Sequence, residues 1–155
     1  MDAITTVLGD EAASLALGRA LARWLEPGDV LLLHGDLGAG KTTLARGIIE
    51  AFCGIVDAPS PTYTLVQSYT GKTGTPLLHA DLYRLGEAGE LEELGLDEAF
   101  EQGVCLIEWP DRLGAMTPMD RIDIRLSTRD QGGRDCRMDL QGRWSTRRDR
   151  IASIV

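Results

Sequence analysis

Residues 30–47, VLLLHGDLGAGKTTLARG, join a continuous apolar run to a glycine-rich turn and then to a helix-forming segment. VLLLH is of strand length and apolar on both faces, so it predicts a central strand covered by helices on each side. Gly35, four further residues, then Gly40-Lys41-Thr42 satisfy GxxxxGK[ST]. Glycines in such a loop let backbone N–H groups converge on phosphate oxygens, where a Cβ would strain the chain or block the approach. The helix opening near Gly40 aims its positive end at the same anion. Lys41 supplies a point charge for β- and γ-phosphates, and the Thr42 hydroxyl is placed to ligate Mg²⁺.

A phosphate loop also needs an acid at the end of a neighbouring strand, to hold Mg²⁺ through water and to orient a nucleophile. LLHAD places Asp81 and VCLIE places Glu108, each after four mainly apolar residues that bury a strand and leave the acid at its end. SPTY, residues 60–63, occupies the place of a nucleotide-sensing segment or of a structural turn built on Pro59 and Pro61. Arg84 reaches either phosphate or Glu87. Trp109 reads as core unless it sits on a rim, where it would offer a stacking surface. The chain has no Asn, so the NKxD element that reads guanine is absent and adenine nucleotides become the default. No arginine-rich lid of the small-kinase kind follows Lys41.

The 155 residues fit one domain, 1–155. Near the N-terminus, a short strand precedes a helix that starts near Asp10, with Asp10 or Ser14 capping it, and ends before Pro27-Gly28. Leu15, Leu21 and Leu25, with Gly18 and Ala22, make its apolar face. Residues 41–52 form a second helix, and strands near 63–69 and 76–81 form a hairpin across GKTG. A helical pair broken by Gly95 follows, then a buried strand at 104–109 stopped by Pro110. RIDIRLS and RDCRMDLQG make a late hairpin, and the tail ends in a short helix started by Ser145 or Thr146. The order predicts an α/β fold of the P-loop NTPase type, with a mostly parallel central sheet, antiparallel additions and flanking helices.

No apolar stretch approaches membrane-spanning length and the N-terminus lacks a signal-peptide pattern, so a cytoplasmic protein is expected. Cys53, Cys105 and Cys136 are too widely spaced for a metal site and read as reduced thiols. A net charge of −8 opposes autonomous binding to nucleic acid. The acidic stretch with Glu87, Glu90, Glu92, Glu93, Asp97, Glu98 and Glu101 is a solvated helix face or a docking surface for a basic partner.

Together GDLGAGKTT, SPTY, HADLYRL and CLIEWPDRL resemble the bacterial TsaE family, small ATPases required for the threonylcarbamoyl modification of the adenosine next to the tRNA anticodon. The resemblance is strongest from Val30 to Leu113. It implies ATP or ADP with Mg²⁺ as the bound species, docking on the TsaB and TsaD pair, contact with tRNA only through that complex, and a monomer when alone. Carried onto this chain, it makes Lys41 and the loop backbone of Gly35, Asp36, Leu37, Gly38, Ala39, Gly40, Thr42 and Thr43 the phosphate clamp. It makes Thr42 and Glu108 the Mg²⁺ site and Asp81 a water-orienting acid or one set behind the metal, with Trp109 and SPTY at the edge and Glu11 near the adenine. Residues 114–155 carry little signature; Arg143, Arg147, Arg148 and Arg150 form a basic end that is either a solvated helix or a contact for partner or tRNA. The expected activity is a weak Mg²⁺-dependent ATPase that resets a partner complex. The alternatives are a small kinase acting on a metabolite and a nucleotide-gated adaptor that hardly turns over.

Overall fold

The apolar run at 30–34 forms strand β2 (Val30–His34), and Val30, Leu31, Leu32 and Leu33 are each no more than 1 % exposed. Burial on both faces requires cover on both sides. In the computed structural model, which describes residues 3–61, 65–85 and 88–155, that cover is supplied by helices.

The remaining strands are β1 (Ile4–Leu8), β3 (Val66–Thr70), β4 (Pro76–Asp81), β5 (Val104–Glu108), β6 (Arg121–Thr128) and β7 (Arg134–Gln141). They form one sheet in the order β1-β7-β6-β2-β5-β4-β3. The four central strands β6, β2, β5 and β4 pair in parallel, while β3, β7 and β1 are added antiparallel at the two edges. The centre of the sheet is thus parallel with antiparallel additions, as expected: each hairpin joins through its parallel strand, β4 beside β5 and β6 beside β2, and carries its second strand antiparallel on the outside.

Helices α1 (Glu11–Leu21), α2 (Lys41–Cys53) and α5 (Arg148–Ala152) cover one face, packing on Leu31, Leu33, Leu106, Ile122 and Ile124. Helices α3 (Ala88–Glu93) and α4 (Leu96–Gln102) cover the other, over Val30, Leu32, Cys105 and Ile107. Odd and even residues of β2 thus feed separate cores, as the two-residue repeat of a strand dictates. Asp10 caps α1, its carboxylate accepting from the Ala13 N–H at 2.8 Å.

The two helices flanking the glycine-rich loop approach at backbone distance. A Cβ on Gly18 of α1 would lie 2.4 Å from the Leu44 carbonyl oxygen, and one on Gly47 of α2 would lie 2.4 Å from that of Leu15. Small residues facing each other are what let α1 lie so close to α2.

Several sequence expectations shift. The first helix tightens into a 3-10 turn at Ala22–Trp24 and stops there, so its buried face is Ser14, Leu17, Gly18 and Leu21; Leu15 is half-buried and Leu25 lies beyond the end in extended backbone. The first hairpin strand begins at Val66 because Leu65 is left-handed, with φ +67°. β5 ends at Glu108, not at residue 109: Trp109 turns left-handed and Pro110 opens a 3-10 segment, Pro110–Met116. Cys53, Cys105 and Cys136 are free, and burial pushes the Cys105 and Cys136 thiols up to about 12. Glu92, Glu93, Asp97, Glu98 and Glu101 form an exposed acidic face; Glu87 and the side chain of Glu90 lie outside the described residues.

The basic tail departs most. A 3-10 segment, Gly142–Arg147, precedes α5, which starts at Arg148 rather than at Ser145 or Thr146 and has no side-chain cap. Arg147 is buried and donates to Asp29 at 2.8 Å, and Arg143 lies 3.3 Å from the same carboxylate. Asp29, fully buried before β2, draws these arginines inward because a buried carboxylate needs a partner. Arg147 is thus structural and shut off from solvent, while Arg143, its side chain 34 % exposed, is engaged with the same carboxylate at the surface.

Two outcomes are expected. Gly47→Ala forces backbone apart and should cost about 1–3 kcal/mol, read as a melting temperature lower by about 2–4 °C per kcal/mol. Arg147→Met removes the buried donor to Asp29 but leaves Arg143 3.3 Å from the carboxylate, and should cost about 3 kcal/mol in denaturant titration, the low end for breaking a buried pair.

Candidate functional site

The loop between β2 and α2 leaves the sheet at the carboxyl end of its parallel strands. Gly38 and Gly40 both adopt positive φ, +81° and +101°, a region that strains residues bearing a Cβ. α2 begins immediately after Gly40 and no side chain caps it. Its first N–H groups therefore depend on water or an anion for partners. A cleft of about 340 Å³ opens above them, lined by Leu37–Thr43, Asp81, Glu108 and Trp109 together with Glu11. The predicted residues Gly35 and Asp36 do not line it; they hold Lys41 from behind, Gly35 and Asp36 both accepting from its amine through their carbonyl oxygens, the second at 3.4 Å.

The two predicted acids meet here. Asp81 ends β4, Glu108 ends β5, and they are partners in the parallel register of the two strands. Both side chains stand on the α2 face of the sheet. The Thr42 hydroxyl donates to the Glu108 carboxylate, 3.1 and 3.2 Å from its two oxygens. Asp81 accepts from the Tyr83 N–H at 2.9 Å.

Sequence reasoning missed His79. It lies two residues before Asp81 on β4, hence on the same face, and its Nε2 sits 2.7 Å from Glu108 Oε2. A carboxylate only accepts, so against Glu108 the donor role falls to Nε2. Nδ1 is buried without a hydrogen-bond partner among the described residues. The alternation of LLHAD could have found it, since a strand that delivers Asp81 to one face delivers His79 there too.

Lys41 is 5 % exposed, and its amine also stands 3.8 Å from the centroid of the Trp109 ring. Burial lowers the Lys41 pKa below its ordinary value, and the nearby Glu108, Asp81 and Asp36 charges pull it back only in part. A desolvated ammonium whose closest contacts are carbonyls and a ring face gains from an anion entering the cleft. Trp109 is half-buried, packed against the second core and at the same time part of the cleft wall. Left-handed at φ +59°, it turns its ring into the cleft and packs on Tyr83, with ring centroids 4.7 Å apart.

The walls come from both ends of the chain. Leu8, Gly9, Asp10, Glu11 and Ser14 bring the turn from β1 to α1, and Gly133 and Arg134 bring the tip of the β6–β7 hairpin. Arg134 was not anticipated: its guanidinium donates to the carbonyl oxygens of Ala39 and Gly38, each at 3.0 Å. Nothing local in TRDQGGRD marks it, because the contact spans 95 residues.

Thr62 and Tyr63 of SPTY lie outside the described residues, as does Glu87, the proposed neighbour of Arg84. On the opposite face, His34 Nε2 lies 2.7 Å from Asp123 Oδ1 and Arg121 donates to the same carboxylate at 2.9 Å. Burial alone would raise the Asp123 pKa, but those hydrogen bonds and charges hold it below the usual range.

The family described as threonylcarbamoyl adenosine biosynthesis protein TsaE matches residues 8–136. The chain is similar to the tRNA threonylcarbamoyladenosine biosynthesis protein TsaE of Rickettsia felis, 40% identical over 131 residues, covering 84% of this chain and 76% of that one. It is 44% identical over 110 residues to the Bacillus subtilis protein of the same description, covering 70% and 68%. Its fold is that of the crystal structure of Bacillus subtilis YdiB, with a TM-score of 0.82 and 31% identity, covering 98% of this chain and 95% of that one. On these likenesses, which span both the cleft and the strands that build it, the chain belongs to the TsaE family.

Proposed function

We propose that this chain is a Mg²⁺-dependent ATPase of the phosphate-loop type that serves tRNA threonylcarbamoyladenosine biosynthesis, where it acts on the TsaB–TsaD complex and allows it to turn over repeatedly. The pathway follows from the family and from its relatives' descriptions. One observation carries the chemistry: the Lys41 amine, the Thr42 hydroxyl, Asp81 and Glu108 surround one cleft at the uncapped start of α2.

The residues fit the nucleotide and its ion. Among the described residues no group of three or more His, Cys, Asp or Glu side chains forms a metal cage. Mg²⁺ needs none, since it is commonly held by one or two carboxylates, water and substrate phosphates. Thr42 and Glu108 offer hard oxygen donors already hydrogen-bonded to each other. They would hold the ion, with His79 fixing the Glu108 carboxylate. Mg²⁺ bound there supplies positive charge to the β- and γ-phosphate oxygens.

The loop backbone and Lys41 bind and orient the phosphates, and Lys41 neutralises charge that grows on them as the bond to the γ-phosphoryl breaks. Asp81, in the cleft beside Glu108, is the residue we assign to orient the attacking water and take its proton. Trp109 closes the side of the cleft over Lys41 and limits water there. Glu11, exposed at the start of α1 and lining the same cleft, is the residue we assign to the base end of the nucleotide. The exposed Leu37 at the loop and Tyr83 on the rim leave apolar surface at the mouth, which suits work performed on a partner.

Lys41→Ala should weaken ADP binding about 100-fold and Thr42→Ala should abolish the gain in affinity from Mg²⁺, both read by titration calorimetry. Wild-type affinity in the first, or undiminished Mg²⁺ enhancement in the second, refutes that assignment. Asp81→Ala should keep ATP binding and lose turnover. In reconstituted tRNA modification, multiple turnovers should appear only with the intact chain, and equal turnover without it would sink the proposed role.

A further inference from the structure

We propose that Arg134 is a positioning residue for the phosphate-binding loop, holding the peptide units after Gly38 and Ala39 in the orientation that turns the Gly40 N–H toward the bound phosphate. This rests on the nucleotide reading above. The arginine opens β7 directly after the Gly132-Gly133 turn. Gly133 is left-handed at φ +79°, and a Cβ there would fall 2.6 Å from the Leu8 carbonyl oxygen, so the hairpin tip seats against the end of β1. That seating delivers the guanidinium to the loop at the wall of the cleft. Its Nε donates to Ala39 O and a terminal nitrogen to Gly38 O, each at 3.0 Å, while the other terminal nitrogen donates to Gly133 O at 2.9 Å.

No peptide bond among the described residues is cis. In a trans peptide the C=O and the N–H point in opposite directions. A carbonyl of Ala39 pinned on Arg134 therefore sends the Gly40 N–H away from it. The Ala39 N–H is already bonded to Asp36 O at 3.0 Å, so the pinned Gly38 carbonyl fixes a turn within the loop. Ala39 is flanked by Gly38 and Gly40, and glycine samples more backbone states than any other residue. Without a clamp these peptides can flip, and ordering them falls on the binding step. The planar fork of a guanidinium can hold two adjacent carbonyls at once, which the single point of a lysine ammonium cannot.

The test uses the full chain, with Mg-ADP affinity by calorimetry, amide hydrogen exchange over residues 36–41 and thermal melting. Arg134→Ala and Arg134→Lys are both expected to weaken ADP about tenfold or more and to speed exchange in the loop. Exchange in β2 and the later turns of α2 should stay as in the wild type. Lysine restoring affinity and loop protection overturns the proposal, since charge alone would then suffice. So does alanine with wild-type affinity and protection, or a rise in exchange spread evenly over the molecule. Lys41→Ala runs beside them. If it loses ADP while Arg134→Ala does not, only the Arg134 role fails. A wild-type chain that takes up no ADP removes the nucleotide reading, and loop exchange still decides whether Arg134 holds the loop.

Discussion

The parallel pairing that sets Leu33, Glu108 and Asp81 side by side across β2, β5 and β4 governs the rest of the cleft. A strand shows alternate residues to opposite faces, so a slip of one position would send either acid under α3 and α4. In the observed register both carboxylates stand beneath α2. Thr42, one residue into that helix, then meets Glu108 with no long side chain to bridge the gap. Val104–Ile107 are buried on both faces, so a slip would force each core to repack around side chains of other shapes and drive the acids beneath α3 and α4 into apolar surroundings. The hydrophobic cores thus set the position of the chemistry.

Charge balance in the cleft follows from the same geometry. Lys41 lies among Glu108, Asp81 and Asp36, yet its nearest contacts are loop carbonyls and the Trp109 ring. Burial weakens its hold on a proton while neighbouring acids strengthen it, and burial has the larger effect. An arriving phosphate would relieve this desolvation. On a chain of net charge −8, a polyanion would have to be drawn in by such a local device and not by the protein's overall field.

The antiparallel additions are part of this device. β7 pairs with β1 at one edge, and the turn that begins β7 brings Arg134 onto the loop. The 3-10 segment after β7 returns Arg147 to Asp29, just before β2. The strand that leads into the loop is thereby tied down at its start, and the loop at the wall of the cleft, by the last quarter of the chain. The close approach of α1 and α2 at Gly18 and Gly47 completes the frame by bringing Asp10 and Glu11 to the cleft.

The amino-acid sequence by itself determined the loop, the strand before it, the helix after it, and the two acids at strand ends. Each of these is written in a short stretch whose spacing is itself the signal: a glycine pattern, a run of apolar residues, a carboxylate after four buried positions. It also carried the family, because four such stretches stand in order. Only the tertiary structure decided that Asp81 and Glu108 share a register, that His79 backs Glu108, that Arg134 holds the loop, and that Arg143 and Arg147 turn inward to Asp29. Those contacts join residues 29, 95 and 118 positions apart, through side chains whose types are equally at home on a surface. A local pattern cannot specify such a partner; it is chosen when strand order and burial bring one polar group to another that has lost its water.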